Sequence, residues 1–174
     1  MLPLSRLAKK TTTGLLLLLA VAIFAGCKVY KFVDVSIPAD IKTIKINFIE
    51  NKAPYINPQL SQRVTDRLRQ KILSQTRLNQ TNADNADWEV SGEIRDYSFS
   101  TSGISNQQTT NSRITVSIHI TVYDHKAGKP TEYDVSRNFE FDSKLSLQQA
   151  EAALADNMIR DLTDDIFNRI FSNW

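Results

Sequence analysis

Apolar and polar side chains alternate along several segments of the chain, and this period of two predicts β-strands. Ile44, Ile46 and Phe48 alternate with polar neighbours, so a first strand should bury the face that carries these three residues. Three later segments show the same period, and their apolar members are Trp88, Val90, Ile94, Tyr97 and Phe99; then Ile114, Val116, Ile118, Ile120 and Val122; then Tyr133, Val135, Phe139 and Phe141. The parity changes between Ile94 and Tyr97, which predicts a bulge near Arg95 and Asp96.

Two other segments repeat apolar residues every four positions, and this spacing is typical of helices that pack through one side. The first contains Leu60, Val64, Leu68 and Ile72, with Leu73 widening the stripe; Asn57 is its expected N-cap and Pro58 its first residue. The second follows Ser146-Leu147-Gln148-Gln149, a capping box, and its apolar positions are Ala150, Leu154, Met158, Leu162, Ile166 and Ile170.

The order of these elements is β-α-β-β-β-α, which predicts an α+β fold. Two helices should pack on one face of a four-stranded, mainly antiparallel sheet, leaving the other face and at least one edge uncovered. Residues 100–112 are rich in Ser, Thr, Asn and Gln, and we expect a mobile loop there. Arg137 falls on the apolar side of the last strand, which indicates an edge position, a second bulge or a buried ion pair.

The N-terminal segment contains a continuous apolar run, without the alternation or helical spacing of the segments described above. The run from Leu15 to Ala25 is too short to cross a bilayer, and the basic residues Arg6, Lys9 and Lys10 precede it, as in export signals. The run ends in Phe24-Ala25-Gly26-Cys27, which resembles a bacterial lipobox and contains the only cysteine of the chain. An ordinary secretory signal with a chance cysteine is the alternative, but an unmodified lone thiol is a liability in an oxidising compartment.

These features divide the chain into three expected parts. Residues 1–26 should be a cleaved lipoprotein signal peptide, residues 27–40 a tether lipidated at Cys27, and residues 41–174 a single domain anchored to a membrane by lipid. Removing residues 1–26 from the 174 leaves 148, enough for one domain with a sizeable core.

The charge of the chain changes when the signal is removed. The full sequence has 21 Lys+Arg and 19 Asp+Glu, and the three basic residues named above are lost with no acidic one, leaving 18 against 19. The mature domain therefore has no bulk attraction for nucleic acid.

The residues that usually perform chemistry are sparse. His119 and His125 are the only histidines and lack the spacing of a metal motif, and no glycine-rich phosphate loop or nucleophile elbow occurs. We therefore expect no metal, no cofactor and no enzymatic activity. A Ser/His/Asp arrangement assembled by folding stays open, so a lipid-anchored hydrolase is the weakest of the alternatives.

Several short segments carry a resemblance to a known family. They are Cys27-Lys28-Val29-Tyr30, Ser36-Ile37-Pro38, Ala53-Pro54, Asn57-Pro58-Gln59-Leu60-Ser61, Leu73-Ser74-Gln75-Thr76-Arg77-Leu78, Gly92-Glu93-Ile94-Arg95-Asp96-Tyr97 and the closing Ile166-Phe167-Asn168 to Trp174. In these segments and in its order of elements, the chain resembles the lipopolysaccharide-assembly lipoproteins of the LptE family, in their Bacteroidetes-type form.

This resemblance implies a function that the residues alone would not name. It implies a non-enzymatic lipoprotein on the periplasmic side of the outer membrane, which plugs the LptD β-barrel and assists lipopolysaccharide transport to the cell surface. Phosphates of lipopolysaccharide would be bound by basic residues near strand or turn ends, and local reasoning selects Arg95, Arg113, Lys126 and Lys129. An accessory or lipid-binding periplasmic lipoprotein of another envelope complex is the alternative.

Overall fold

The computed structural model describes residues 37–105 and 108–172. The predicted signal peptide and Cys27 lie outside these residues. None of the helices in the described part of the chain is both long enough and apolar enough to span a membrane. The elements are β1 (Thr43–Asn51), α1 (Leu60–Gln75), β2 (Asn79–Gln80), β3 (Trp88–Ser105), β4 (Gln108–Asp124), β5 (Lys129–Asp142) and α2 (Leu147–Phe171).

The strands form one sheet in the order β2-β1-β3-β4-β5. Strands β3, β4 and β5 form an antiparallel meander, whereas β1 runs parallel to both β2 and β3. The α+β class and the two helices are confirmed, but the sheet is five-stranded and mixed rather than four-stranded. The missed strand β2 pairs through only two residues, Asn79 and Gln80, too few to produce an alternating pattern.

Both helices lie on the same face of the sheet, α1 against β1 and α2 against β5, and they also pack on each other. Arg63 of α1 pairs with Asp156 of α2, and Lys71 pairs with Asp164 while lying over the ring of Phe167. The core between helices and sheet is dominated by buried aliphatic side chains, among them Ile44, Val64, Leu68, Ile72, Ile94, Ile114, Val116, Ile118, Ile120, Leu162 and Ile166.

Strand β1 contains an irregularity that the sequence pattern did not reveal. The pairing of β1 with β3 shifts register between Ile46 and Ile49, so Ile49 is buried and Phe48 is 46% exposed. The prediction that Phe48 joins Ile44 and Ile46 in the core was wrong, because one extra residue reverses the direction of the side chains that follow.

The helix boundaries agree with the sequence at one helix and differ at the other. Helix α2 begins with the predicted capping box, in which Ser146 and Gln149 bond reciprocally. Helix α1 begins at Leu60, not at Pro58, because the Asn57 side chain accepts the N–H of Gln59 in a turn before the helix. Leu73 is 56% exposed and does not widen the buried stripe as predicted.

The long β3–β4 hairpin replaces the predicted loop. Strand β3 continues to Ser105 and β4 begins at Gln108, so the prediction of a mobile loop over residues 100–112 was wrong for the described part of that range. Backbone pairing between two neighbouring strands needs no buried side chains, and a polar composition therefore does not exclude it. The predicted bulge is confirmed by a register shift between Ile94 and Asp96.

Candidate interaction surface

The face of the sheet that the helices leave uncovered carries polar side chains on β3, β4 and β5. We call it the polar face. It consists of five cross-strand rows, which are Ser91-Thr121-Glu132, Glu93-His119-Asp134, Asp96-Ser117-Ser136, Ser98-Thr115-Asn138 and Ser100-Arg113-Glu140. Side chains along a strand point alternately to its two faces. The residues that lie between the buried core residues of β3, β4 and β5 therefore form this surface.

Neighbouring side chains on the polar face bond to one another across β4 and β5. Thr115 Oγ1 donates to Asn138 Oδ1 at 2.9 Å, and the hydroxyls of Ser117 and Ser136 are 2.9 Å apart. In the next row His119 Nδ1 lies 2.8 Å from Asp134 Oδ1. These contacts hold the side chains in an ordered polar layer that suits contact with water or with another polar surface.

A shallow hollow of about 460 Å³ opens on the polar face next to β1. Its lining includes the ionised residues Lys52, Glu93, Arg95 and Glu132, together with His119. Lys52 Nζ lies 2.5 Å from Glu93 Oε1, and this hydrogen bond lowers the pKa of Glu93 below its ordinary value. The hollow therefore holds ionised groups of both signs, which is typical of a solvated contact surface.

The four basic residues predicted to bind lipopolysaccharide fall into two separate places. Arg95 and Arg113 lie on or beside the polar face, whereas Lys126 and Lys129 lie at the turn between β4 and β5. At about 3.3 Å per residue, the stretch of β4 from Arg113 to Asp124 is about 36 Å long. The fold therefore does not bring the four residues into one site.

Lys126 contacts the segment that leads into β1. Its Nζ donates to the carbonyl oxygen of Asp40 and lies 3.1 Å from Asp87 Oδ1. Asp87 Oδ2 accepts the backbone N–H groups of Lys42 at 2.7 Å and Thr43 at 2.9 Å, and these bonds lower the pKa of Asp87 far below its ordinary value. This clamp joins positions more than forty residues apart, so no local sequence signal indicated it.

The two arginines differ in how firmly they are engaged. Arg113 Nη2 lies 3.3 Å from Glu140 Oε1 across the strand pair, and its Nε is buried with no hydrogen-bond partner among the described residues. Arg95 Nε is 3.6 Å from Glu93 Oε2, and its side chain is 54% exposed. The Arg113 side chain is 36% exposed, so the two arginines are partly accessible from the polar face.

Each of the two histidines contacts a carboxylate at the surface of the sheet. His119 faces Asp134 as described above, and His125 Nε2 lies 3.2 Å from Glu89 Oε2. Across residues 37–105 and 108–172, no group of three or more His, Cys, Asp or Glu side chains is placed to hold a metal ion.

Comparison with known families decides the classification of this domain. The LptE model, described as lipopolysaccharide-assembly, matches residues 41–170. The chain belongs to the LptE family. This is a family of non-enzymatic lipopolysaccharide-assembly proteins of the cell envelope, and the resemblance stated from the short segments is confirmed.

Three solved structures are similar to this chain at low sequence identity. A Xanthomonas campestris protein has a TM-score of 0.51 at 7% identity, covering 74% of this chain and 83% of its own. A Chlamydia trachomatis protein has a TM-score of 0.49 at 9% identity, covering 74% of this chain and 97% of its own. Lipoprotein B of Nitrosomonas europaea has a TM-score of 0.46 at 16% identity, covering 75% and 79%. A search of curated proteins found no significant match. The similarity to the Xanthomonas campestris protein shows a shared fold alone.

Proposed function

We propose that this LptE-family protein is an outer-membrane lipoprotein that plugs an LptD-like β-barrel and assists lipopolysaccharide transport to the cell surface. The observation that carries the proposal is the family match over residues 41–170. In this proposal residues 1–26 are cleaved, Cys27 is lipidated, and the domain lies on the periplasmic side of the membrane. The protein acts by binding and not by catalysis.

The geometry of the sheet supports a role as a plug. Large outer-membrane barrels have polar interiors, so a domain that occupies such an interior needs a polar outer surface. The polar face supplies hydroxyl, amide and ionised side chains over three adjacent strands, with their mutual hydrogen bonds already formed. We propose that this face meets the barrel wall, since the helices already cover most of the apolar face of the sheet and leave only its Phe99 end exposed.

Contact with lipopolysaccharide is proposed for Arg95, Arg113, Lys126 and Lys129. Arg95 and Arg113 are the stronger pair, because a planar guanidinium binds phosphate through two parallel hydrogen bonds and both side chains are partly accessible on one face. Lys126 is the weakest of the four, because its ammonium group already bonds Asp40 and Asp87.

Co-purification tests the partner. The tagged full-length protein is extracted from envelopes in mild detergent, and the bound proteins are identified by mass spectrometry. We expect a large β-barrel protein in stoichiometric amount, and depletion of the LptE-family protein should reduce surface lipopolysaccharide. An extract that retains the tagged protein without any barrel would contradict the plug, and would favour an accessory or lipid-binding lipoprotein of another envelope complex.

The proposed face is tested by a matched pair of substitutions. Ser117→Trp places a large side chain in the middle row of the polar face, and Gln70→Trp adds the same side chain on the exposed side of α1. We expect Ser117→Trp to reduce the amount of barrel recovered and Gln70→Trp to leave it nearly unchanged. Equal recovery with both variants would show that another surface meets the barrel wall.

A further inference from the structure

The two edges of the sheet differ in how they are closed. At one edge, β2 pairs with the beginning of β1, and side chains of α1 reach the rest of that strand. Arg69 donates to the carbonyl oxygen of Ile46 at 2.9 Å, and Thr65 Oγ1 accepts the N–H of Ile49 at 3.0 Å. These bonds occupy backbone groups of β1 that would otherwise pair with another strand.

The opposite edge is formed by β5 and is open. Strand β5 runs over Lys129–Asp142 and pairs with β4 on its inner side, and no strand in residues 37–105 or 108–172 lies along its outer side. A strand of this length presents a row of N–H and C=O groups that can bond an additional strand.

A groove runs beside this open edge. It lies between residues 133–136 of β5 and the last two turns of α2, and its volume is about 700 Å³. Asp165, Asn168 and Ile170 contribute to its helical wall. An added strand lies about 4.8 Å from its neighbour, and the combination of a strand edge with an adjacent helix is the arrangement that peptide-binding domains use for strand addition.

The charges around the groove select the kind of segment that fits. Glu132 and Asp134 flank the strand edge with side chains that are 64% and 80% exposed. On α2, Asp165 is paired with Arg137, and Arg169 also lines the groove, so the helical wall has no excess of negative charge. A second copy that paired its β5 in an antiparallel register centred on residue 133 would set Glu132 opposite Asp134, and like charges on paired strands destabilise the pair. The exposed carboxylates of Glu132 and Asp134 therefore favour a partner with basic side chains beside this part of the edge.

We propose that the outer edge of β5 binds an extended protein segment by strand addition, and that basic side chains of this segment lie against Glu132 and Asp134. The backbone of the edge provides the affinity, and the carboxylates select the partner. Glu132 and Asp134 lie at the margin of the polar face, whereas the backbone groups of the edge point away from β4 in the plane of the sheet. The assignment rests on this open edge and not on the barrel plug.

Hydrogen–deuterium exchange of the full-length protein in detergent tests this assignment. The probes are two capped ten-residue peptides, one alternating threonine with lysine and the other alternating threonine with glutamate. We expect the lysine peptide to slow exchange at residues 131–136 at least tenfold, and the glutamate peptide to leave it unchanged. Equal protection by both peptides, protection elsewhere only, protection already present without peptide, or no protection would each overturn the proposal.

A pair of charge reversals locates the binding. Glu132→Lys with Asp134→Lys should weaken binding of the lysine peptide about tenfold, since each removes an attraction and adds a repulsion. Glu50→Lys with Asp84→Lys makes the same change of charge near the closed edge and should preserve binding. Equal weakening by both pairs would indicate nonspecific attraction and would overturn the assignment. If the first pair fails to fold, the comparison of the two peptides on the unmodified protein decides.

Discussion

Tyr97 Oη donates a hydrogen bond to Glu151 Oε1 at 2.7 Å and thereby joins the bulged strand β3 to the N-terminal part of α2. Asn57 Nδ2 donates to the same oxygen at 3.1 Å, and Tyr55 Oη lies 3.3 Å from the other oxygen of the carboxylate. Burial, and then the bond to Glu151, raises the pKa of Tyr97 well above its ordinary value. One carboxylate therefore connects the strand, the helix and the segment before α1.

Glu151→Ala should destabilise the domain more than Tyr97→Phe. The alanine leaves the buried Tyr97 hydroxyl without its acceptor at a cost of about 1–3 kcal/mol, whereas the phenylalanine removes donor and hydroxyl together and should cost about 1 kcal/mol. Urea denaturation followed by circular dichroism measures both changes. A loss for Glu151→Ala that is smaller than the loss for Tyr97→Phe would contradict the proposed role of the carboxylate.

Asp87 should make the domain sensitive to acid. The backbone N–H groups of Lys42 and Thr43 lower the pKa of Asp87 in the folded state, so its contribution is present above the unfolded pKa of about 3.9. This contribution is lost as the pH falls from about 4 through the lowered pKa of the folded state. Urea denaturation of the wild type and of Asp87→Asn between pH 6 and pH 2 measures it. The variant should be less stable at pH 6, and the difference should shrink at pH 2; a constant difference would refute this account.

Arg137→Val should increase self-association without unfolding the domain. Arg137 lies on the core side of the edge strand β5, where its guanidinium bonds both oxygens of Asp165 at 2.7 and 2.8 Å. An inward charge on an edge strand opposes pairing of another copy at that point of the edge, which follows the proposed binding residues 131–136, and valine removes the charge. Light scattering over a concentration series measures the change. Asn138→Val adds the same side chain on the polar face and is the control; an equal increase with both variants would assign the effect to general hydrophobicity.

Gly92→Ala should destabilise the sheet, and a second substitution should partly restore it. A Cβ at position 92 would lie 2.7 Å from Ile120 Cδ1, and 3.3 Å from both the His119 carbonyl oxygen and Ile49 Cγ1. Overpacking of this kind costs about 1–3 kcal/mol. Ile120→Val removes the nearest methyl, so the double variant should lose less stability than the sum of the two single variants. Additive losses in thermal denaturation would show that the backbone, not Ile120, is the obstacle.

Cys27→Ala should leave the domain folded and move it from the membrane fraction to the soluble fraction. The physical reason is that two or more acyl chains are needed for stable anchoring, and alanine can accept none. Fractionation with immunoblotting measures the location, and mass spectrometry of the wild type measures the lipid. An unchanged membrane fraction in the variant would argue against anchoring through this residue.

The sequence predicted those elements whose pattern extends over many residues. Ile114 to Val122 alternate without interruption and form the centre of β4, and the repeat from Ala150 to Ile170 became α2, with its predicted cap. The prediction failed where one extra residue shifted the register of a strand, and where a strand was too short to show an alternating pattern. Phe48 is outside the core because of the bulge before Ile49, and the two residues of β2 carry no period at all.

The candidate surfaces were harder to predict from the sequence, because folding determines which residues come together. The sequence named Arg95, Arg113, Lys126 and Lys129 as separate strand-end residues, and the structure divided them between the polar face and a turn. The structure also forms an ion pair between Lys126 and Asp87, two residues that are far apart in the sequence. Pairs of this kind could not be read from spacing, because register and topology determine which residues meet.

By itself, the sequence determined the class of the fold, the two helices, the uncovered polar face and the resemblance to the LptE family, because alternation and helical spacing follow directly from backbone geometry. It also placed Arg137 on the apolar side of its strand, with an edge position, a second bulge or a buried ion pair as the explanations. Only the tertiary structure decided among them, by setting β5 at the edge and Asp165 of α2 opposite the guanidinium. Which edge stays open, and which carboxylates flank it, follow from strand order, and strand order is a property of long-range packing.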